Sequence, residues 1–194
     1  MIFKRSNYLN NTILRFFCKW KFFFAFSSKN LKIEKMKILG IDPGFGLCGF
    51  AVLEKNKSDL DLITFGVIKT APRSNFSDRL LEIADDFQKI LKKHRPDIVS
   101  IEDLFFVKNV STGIRVAEVR GILLFLAHKF GAKIVEPKPS EIKNCFCGNG
   151  RATKSEIKKM TKIIFNLDSA PQIDDAADAV AAAFFASQNA KFMI

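Results

Sequence analysis

From residue 36 onward, short apolar runs alternate with longer segments of helical spacing. Ile38, Leu39, Gly40 and Ile41 predict a buried strand within Lys37–Gly44 (KILGIDPG), which ends on Asp42 before Pro43-Gly44 forces a turn. Cys48–Glu54 and Leu60–Thr70 predict the second and third strands, with polar Lys55–Asp59 turning the chain between them. Links this short imply an antiparallel meander. Ser77–His94 then carries Leu80, Leu81, Ala84, Phe87, Ile90 and Leu91 at helical spacing, with Ser77 expected as N-cap, Asp78 in the first turn and Pro96 as a stop. Asp97–Glu102 (DIVSIE) predicts a fourth strand, Thr112–Phe130 a strongly apolar helix and Lys133–Glu136 a fifth strand. Pro139–Asn144 reads as a helical turn and Cys147–Ala152 as a Gly-rich loop. Thr153–Phe165 is a helix with Thr153 and Glu156 in a capping-box pattern, and Ile173–Gln188 is a final Ala-rich helix. Gly121, inside the apolar helix, costs about 1 kcal/mol against Ala unless close packing explains it. A helix so apolar is buried or lies at a subunit interface.

Acids stand at particular points of this pattern. Asp42 closes the first strand, where a carboxylate can hold a metal ion or cap a turn through its own backbone. Glu102 closes the fourth strand, as a second such carboxylate or where the strand meets water. Asp174, Asp175 and Asp178 crowd the start of the final helix, which suits the helix dipole. The rest of that helix is apolar and must pack inward, and Asp175 and Asp178, three apart, share a face. Carboxylates at the edge of a buried helix are costly unless paired or bound to a cation. If the first and fourth strands are neighbours, Asp42, Glu102 and the helix aspartates converge. Oxygen donors without His or Cys suit Mg²⁺ or Mn²⁺ rather than zinc. Two such ions about 3.5–4 Å apart can activate water and stabilise the leaving oxygen in phosphodiester hydrolysis.

Charge changes the picture mainly at the N-terminus. Of the formal +11 over 194 residues, residues 1–35 hold +7 (eight Lys and Arg against Glu34), leaving +4 for residues 36–194. The remainder is mildly basic, which permits a nucleic-acid partner. Phe16–Phe26 is interrupted by Lys19 and Lys21 and is too short to span a bilayer, and Ala25-Phe26-Ser27 makes a poor signal cleavage site. The segment is basic like an organellar transit peptide, but poor in Arg and Ser. Its Phe, Lys, Asn and Ile are encoded by AT-rich codons. The expectation is therefore that 1–35 is translated upstream sequence and that the working protein starts at Met36. Intact mass of native protein checks this, and a native N-terminus at Met1 overturns it. Cys18, Cys48, Cys145 and Cys147 form no disulfide framework, and Cys145-Phe-Cys147 lacks zinc-knuckle spacing, so a reduced, cytoplasmic protein is expected.

IDPG at 41–44, IEDLFFVKN at 101–109, VRG at 119–121 and DAADA at 175–179 resemble, in order and spacing, the RuvC family of bacterial Holliday junction resolvases. The resemblance runs from about Met36 to Asn189. It implies an α/β, RNase H-like fold: a five-stranded mixed sheet, its first three strands antiparallel, flanked by helices. It also implies a homodimer, built on Thr112–Phe130, that makes paired symmetric nicks across a four-way DNA junction in recombination and repair. The family's acids map onto Asp42, Glu102, Asp175 and Asp178, which would bind two Mg²⁺, with Mn²⁺ as a substitute. Phe105 falls where the family has an aromatic that pushes against bases, a contact worth ~1–3 kcal/mol per base; core packing is its other reading. Lys143 and Lys154 fall where the family has basic residues near the scissile phosphate; a solvated lysine is the other reading. Cooperation with the RuvA–RuvB branch-migration complex is likewise implied.

The chain departs from the pattern in places. Asp174-Asp175 stands where relatives commonly have one acid, and Asp175 fits the D-A-A-D spacing. Glu118 replaces a common Gln, and the extension 1–35 has no counterpart. Two alternatives share parts of the pattern: another RNase H-like nuclease acting on a different nucleic acid, and a junction-binding protein that does not cut. Sugar kinases and actin-like ATPases also open on a strand ending in Asp-x-Gly. Their duplicated domain does not fit the residues after Lys35.

Overall fold

The computed structural model describes residues 35–57, 59–104 and 110–190. Its elements are β1 (Met36–Asp42), β2 (Leu47–Lys55), β3 (Leu60–Lys69), α1 (Phe76–His94), β4 (Ile98–Ile101), α2 (Val110–Phe130), β5 (Lys133–Val135), α3 (Pro139–Cys147), α4 (Lys154–Ile164) and α5 (Asp174–Asn189). The five strands form one sheet in the order β3-β2-β1-β4-β5. The meander β1–β2–β3 is antiparallel, while β4 and β5 join parallel to β1. The first and fourth strands are therefore neighbours, Ile41 pairing with Ile101.

Strand periodicity sorts the side chains into two layers. Leu39, Ile41, Val99 and Ile101 pack with Ile83, Phe87 and Leu91 of α1 and with Val119, Leu123 and Ala127 of α2. Ile38, Leu53 and Ile98 pack on the opposite face against Ala183 and Ala186 of α5. On that same side Ile142 and Phe146 of α3 and Ile157 of α4 close around Ala177–Ala182.

Several local expectations change. α1 is capped by Asn75, whose Oδ1 accepts the Asp78 N–H at 2.9 Å; Ser77 lies within the first turn and donates its hydroxyl to the same oxygen at 2.7 Å. The buried stripe is Ile83-Phe87-Leu91, so Leu81 is left 62% exposed. Pro139 opens a full helix that runs to Cys147, and Gly148 ends it at φ 73°. α4 carries the expected Thr153–Glu156 capping box, with the Thr153 N–H donating to Glu156 Oε2 at 2.7 Å. α2 buries one side only. Ile114 (53%) and Phe125 (63%) are exposed, and nothing lies within 4 Å of where a Cβ on Gly121 would be. Among the described residues no helix is long and apolar enough to cross a membrane.

The contact between α5 and the sheet is unusually close. A Cβ on Gly40 would lie 2.1 Å from Ala179 O and 2.5 Å from Ala183 N. A Cβ on Gly49 would lie 1.9 Å from Asp175 O. Glycine in the strands and alanine on the helix let backbone meet backbone. Gly40→Ala is expected to force the two layers apart at a cost of about 3 kcal/mol, the upper end of overpacking penalties. A fall in urea midpoint at unchanged slope checks this.

Candidate active site

The pleat that sorts the core also aims the acids. Asp42 shares the α5 face of β1 with Ile38 and Gly40, and Glu102 continues the β4 face that carries Ile98 and Ser100. The Glu102 N–H donates to Ile41 O at 3.2 Å, which carries the β1–β4 pairing as far as the two carboxylates. Gly40 and Gly49 let α5 settle over these strand ends, where its first turns deliver Asp175 and Asp178. The result is a cleft of about 360 Å³ lined by Asp42, Glu102, Asp175, Asp178, Lys143, Lys154, Pro139, Ile142 and Ile157.

The four acids that the family resemblance maps onto the chain, and both lysines, thus line one cleft. Asp174 does not. It is turned to Lys158 Nζ at 3.1 Å and Lys154 Nζ at 3.7 Å, and the Lys158 hydrogen bond, foremost, holds its carboxyl below the usual range. Phe105 lies outside the described residues. Cys145 and Cys147 are free thiols beyond the lining.

The electrostatics of the cleft are those of crowded like charges. Burial, and then Glu102, Asp178 and Asp175, push Asp42 well above the usual carboxylate range, against Lys154. Glu102 is pushed up to about 7 by burial and then by Asp178, with Lys143 and Lys154 opposing. Burial likewise raises Asp178; Lys154 opposes the shift and Asp175 adds to it. As they stand, no three described His, Cys, Asp or Glu side chains are drawn tightly enough to hold a metal ion. The donor chemistry nevertheless fits a hard divalent cation: four carboxylates, no His or Cys ligand, and negative charge that two lysines offset only in part.

Arg120 is a residue whose role the sequence did not disclose. From α2 its Nε donates to Glu102 O at 3.0 Å, and its terminal nitrogen pairs with Asp103 at 3.2 Å and with Glu136 after β5. At 14% exposure it ties three elements together immediately beside Glu102. The available signal was a charge at the edge of the apolar run 119–127 of α2, next to buried Val119, since a charge leaves water only for partners.

A five-stranded mixed sheet with an acidic cleft at the ends of its first and fourth strands defines an RNase H-like nuclease architecture. The family model for crossover junction endodeoxyribonuclease RuvC matches residues 38–185, and the chain belongs to that family. The crossover junction endodeoxyribonuclease RuvC of Thermosipho melanesiensis is 43% identical over 157 residues, 81% of this chain and 100% of the relative. That of Petrotoga mobilis is 42% identical, over 77% of this chain and 91% of the relative. Among solved structures, Thermus thermophilus RuvC in complex with Holliday junction substrate superposes with a TM-score of 0.75 at 28% identity, covering 81% of this chain and 96% of that one. The yeast mitochondrial Holliday junction resolvase shares the fold, with a TM-score of 0.58 at 16% identity.

The raised carboxyls make stability depend on pH. Glu102 moves from 4.5 to about 7 on folding, so its contribution is fully present below 4.5 and is lost as pH rises through 7. In chelator, wild type is expected to lose roughly 3 kcal/mol relative to Glu102→Gln across that window. Urea titrations of both proteins at several pH values check it; stability curves that stay parallel overturn it.

Proposed function

We propose that the chain is a structure-selective endonuclease that resolves four-way (Holliday) DNA junctions by paired symmetric nicks, in recombination and repair. The observation that carries this reading is the acidic cleft at adjacent strand ends of a RuvC-family fold, with Lys143 and Lys154 in its lining. Asp42, Glu102, Asp175 and Asp178 are assigned as the catalytic carboxylates. They would hold two Mg²⁺ per site, with Mn²⁺ as a substitute, and the metal pair would supply charge stabilisation for phosphodiester hydrolysis there.

The chain's own residues position the DNA. Lys143, from α3, and Lys154, the first residue of α4, carry positive charge into the cleft and draw in a phosphate that the carboxylates alone would repel. Arg120 fixes the backbone on which Glu102 rides. Phe105 is assigned to the bases at the junction centre.

A homodimer is part of the proposal. The open face of α2, with Ile114, Gly121 and Phe125 uncovered, suits a second copy related by two-fold symmetry. Two sites then face two equivalent strands. The nuclease domain is assigned to 36–194 as a cytoplasmic partner of the RuvA–RuvB complex, with 1–35 outside it; the family-model match over residues 38–185 supports this division.

The test incubates the full chain and Mg²⁺ with an end-labelled synthetic four-way junction, beside Asp42→Asn and Phe125→Asp. Wild type is expected to nick two opposed strands symmetrically, and Asp42→Asn to bind without nicking. Phe125→Asp is expected to sediment as a monomer and to lose the pairing of nicks. Binding without nicks, in Mg²⁺ or Mn²⁺ and on several junction sequences, overturns the enzymatic reading. Cleavage of an RNA–DNA hybrid instead overturns the substrate.

A further inference from the structure

A second charged feature occupies the same end of the sheet, on the side of α1 and α2. Phe45, in the β1–β2 turn, and Phe76, at the start of α1, meet edge to face with centroids 6.1 Å apart. The Arg79 guanidinium lies 4.8 Å from the Phe45 ring centre; that of Arg115 lies 5.3 Å from Phe76 and 5.8 Å from Phe45. Arg79 is also fixed along its edge. Its Nε donates to Thr70 Oγ1 at 2.8 Å, and the Thr70 hydroxyl donates to Phe45 O at 2.7 Å. Gly46 leaves the space this needs, since a Cβ there would lie 3.2 Å from a terminal nitrogen of Arg79. The Thr70 N–H donates to Gly46 O at 3.2 Å, which places the cluster beside the turn that follows Asp42.

Neither arginine is ion-paired with a carboxylate among the described residues. Two cations held around the same pair of rings repel, and cation–π contact returns only about 0.5–1 kcal/mol each at exposed sites. Such an arrangement serves stability poorly. It suits binding, because a stacked guanidinium is a planar fork held ready with its terminal donors open, the geometry that takes a phosphate oxygen pair. The neighbouring cleft concentrates four carboxylates, so affinity for a polyanion must come largely from cations outside its acidic floor.

We propose that Arg79 and Arg115, mounted on Phe45 and Phe76, form a platform for the sugar–phosphate backbone of a DNA arm as it leaves the acidic cleft. The platform rests on the nuclease reading above and adds to it where the DNA is held. It contacts phosphate, not base, so it strengthens binding to all sequences and makes that binding salt-dependent.

The test measures equilibrium binding of the full chain to a labelled four-way junction, without divalent cation, across a series of KCl concentrations. Arg115→Gln is the principal variant, because Arg115 is exposed and its loss disturbs no core packing. Arg79→Gln and Arg79→Lys accompany it. Each Gln variant is expected to make the negative slope of log K against log[KCl] shallower by about 0.9, the loss of one phosphate contact. Arg79→Lys is expected to keep the slope and bind more weakly, because charge survives and the fork does not. Folded Arg115→Gln with wild-type affinity and slope overturns the platform and leaves its charge to an acidic protein surface. Wild type that binds the junction no better than a duplex overturns the junction reading, while the slopes still judge the platform. Wild type that binds no DNA overturns both.

Discussion

The close approach of α5 to the sheet is the constraint on which the rest of the structure depends. A helix normally stands off a sheet by the depth of its side chains. Here Gly40 and Gly49 on the strands, with Ala179 and Ala183 on the helix, remove that depth. The helix is lowered until its first turn overhangs the strand ends, so two of its carboxylates come level with those of β1 and β4. Small residues at the contact forgo some apolar burial, and the close backbone packing fixes where Asp175 and Asp178 stand.

Charge is arranged around this contact in layers. At the centre, burial and mutual repulsion hold Asp42, Glu102 and Asp178 above their ordinary range. Such groups hold their protons to higher pH than exposed acids do, and a cation placed among them would favour their charged forms. Lys143 and Lys154 offset part of their negative charge from the cleft wall. Lys158 turns Asp174 outward, away from the other acids. Behind Glu102, Arg120 joins α2, the β4 end and the β5 end. α2 is also the helix with an open apolar face at Ile114 and Phe125, so that face and the arginine that holds the Glu102 carbonyl are carried by one helix.

The elements were mostly legible because hydrophobic periodicity is a local property. Strands at 36–42, 47–55 and 60–69 and the capped helix at 154–164 follow from alternation, turn residues and a capping box. The misses were local competitions between similar signals. Asn75 took the cap of α1 from Ser77 two residues on, and the buried stripe rotated onto Ile83, leaving Leu81 in water. Pro139 opened a longer helix than expected, because Ile142 and Phe146 found a core to pack into that lies beyond the local sequence.

By itself the sequence determined the kinds of groups available: acids at two strand ends and one helix start, donors of oxygen only, and a mildly basic body. The pattern of motifs was enough to place the chain in a family. Only the tertiary structure decided that β1 and β4 are neighbours, that Asp175 faces the cleft while Asp174 faces Lys158, and that Arg120 reaches Glu102. It alone revealed Arg79 and Arg115 on their phenylalanines. The physical reason is range. Turns, caps and periodicity act over a few residues and can be read along the chain. Convergence of charges from residues 42, 102, 120 and 175 depends on sheet order and on how closely a helix can approach, which the packing of the whole domain sets.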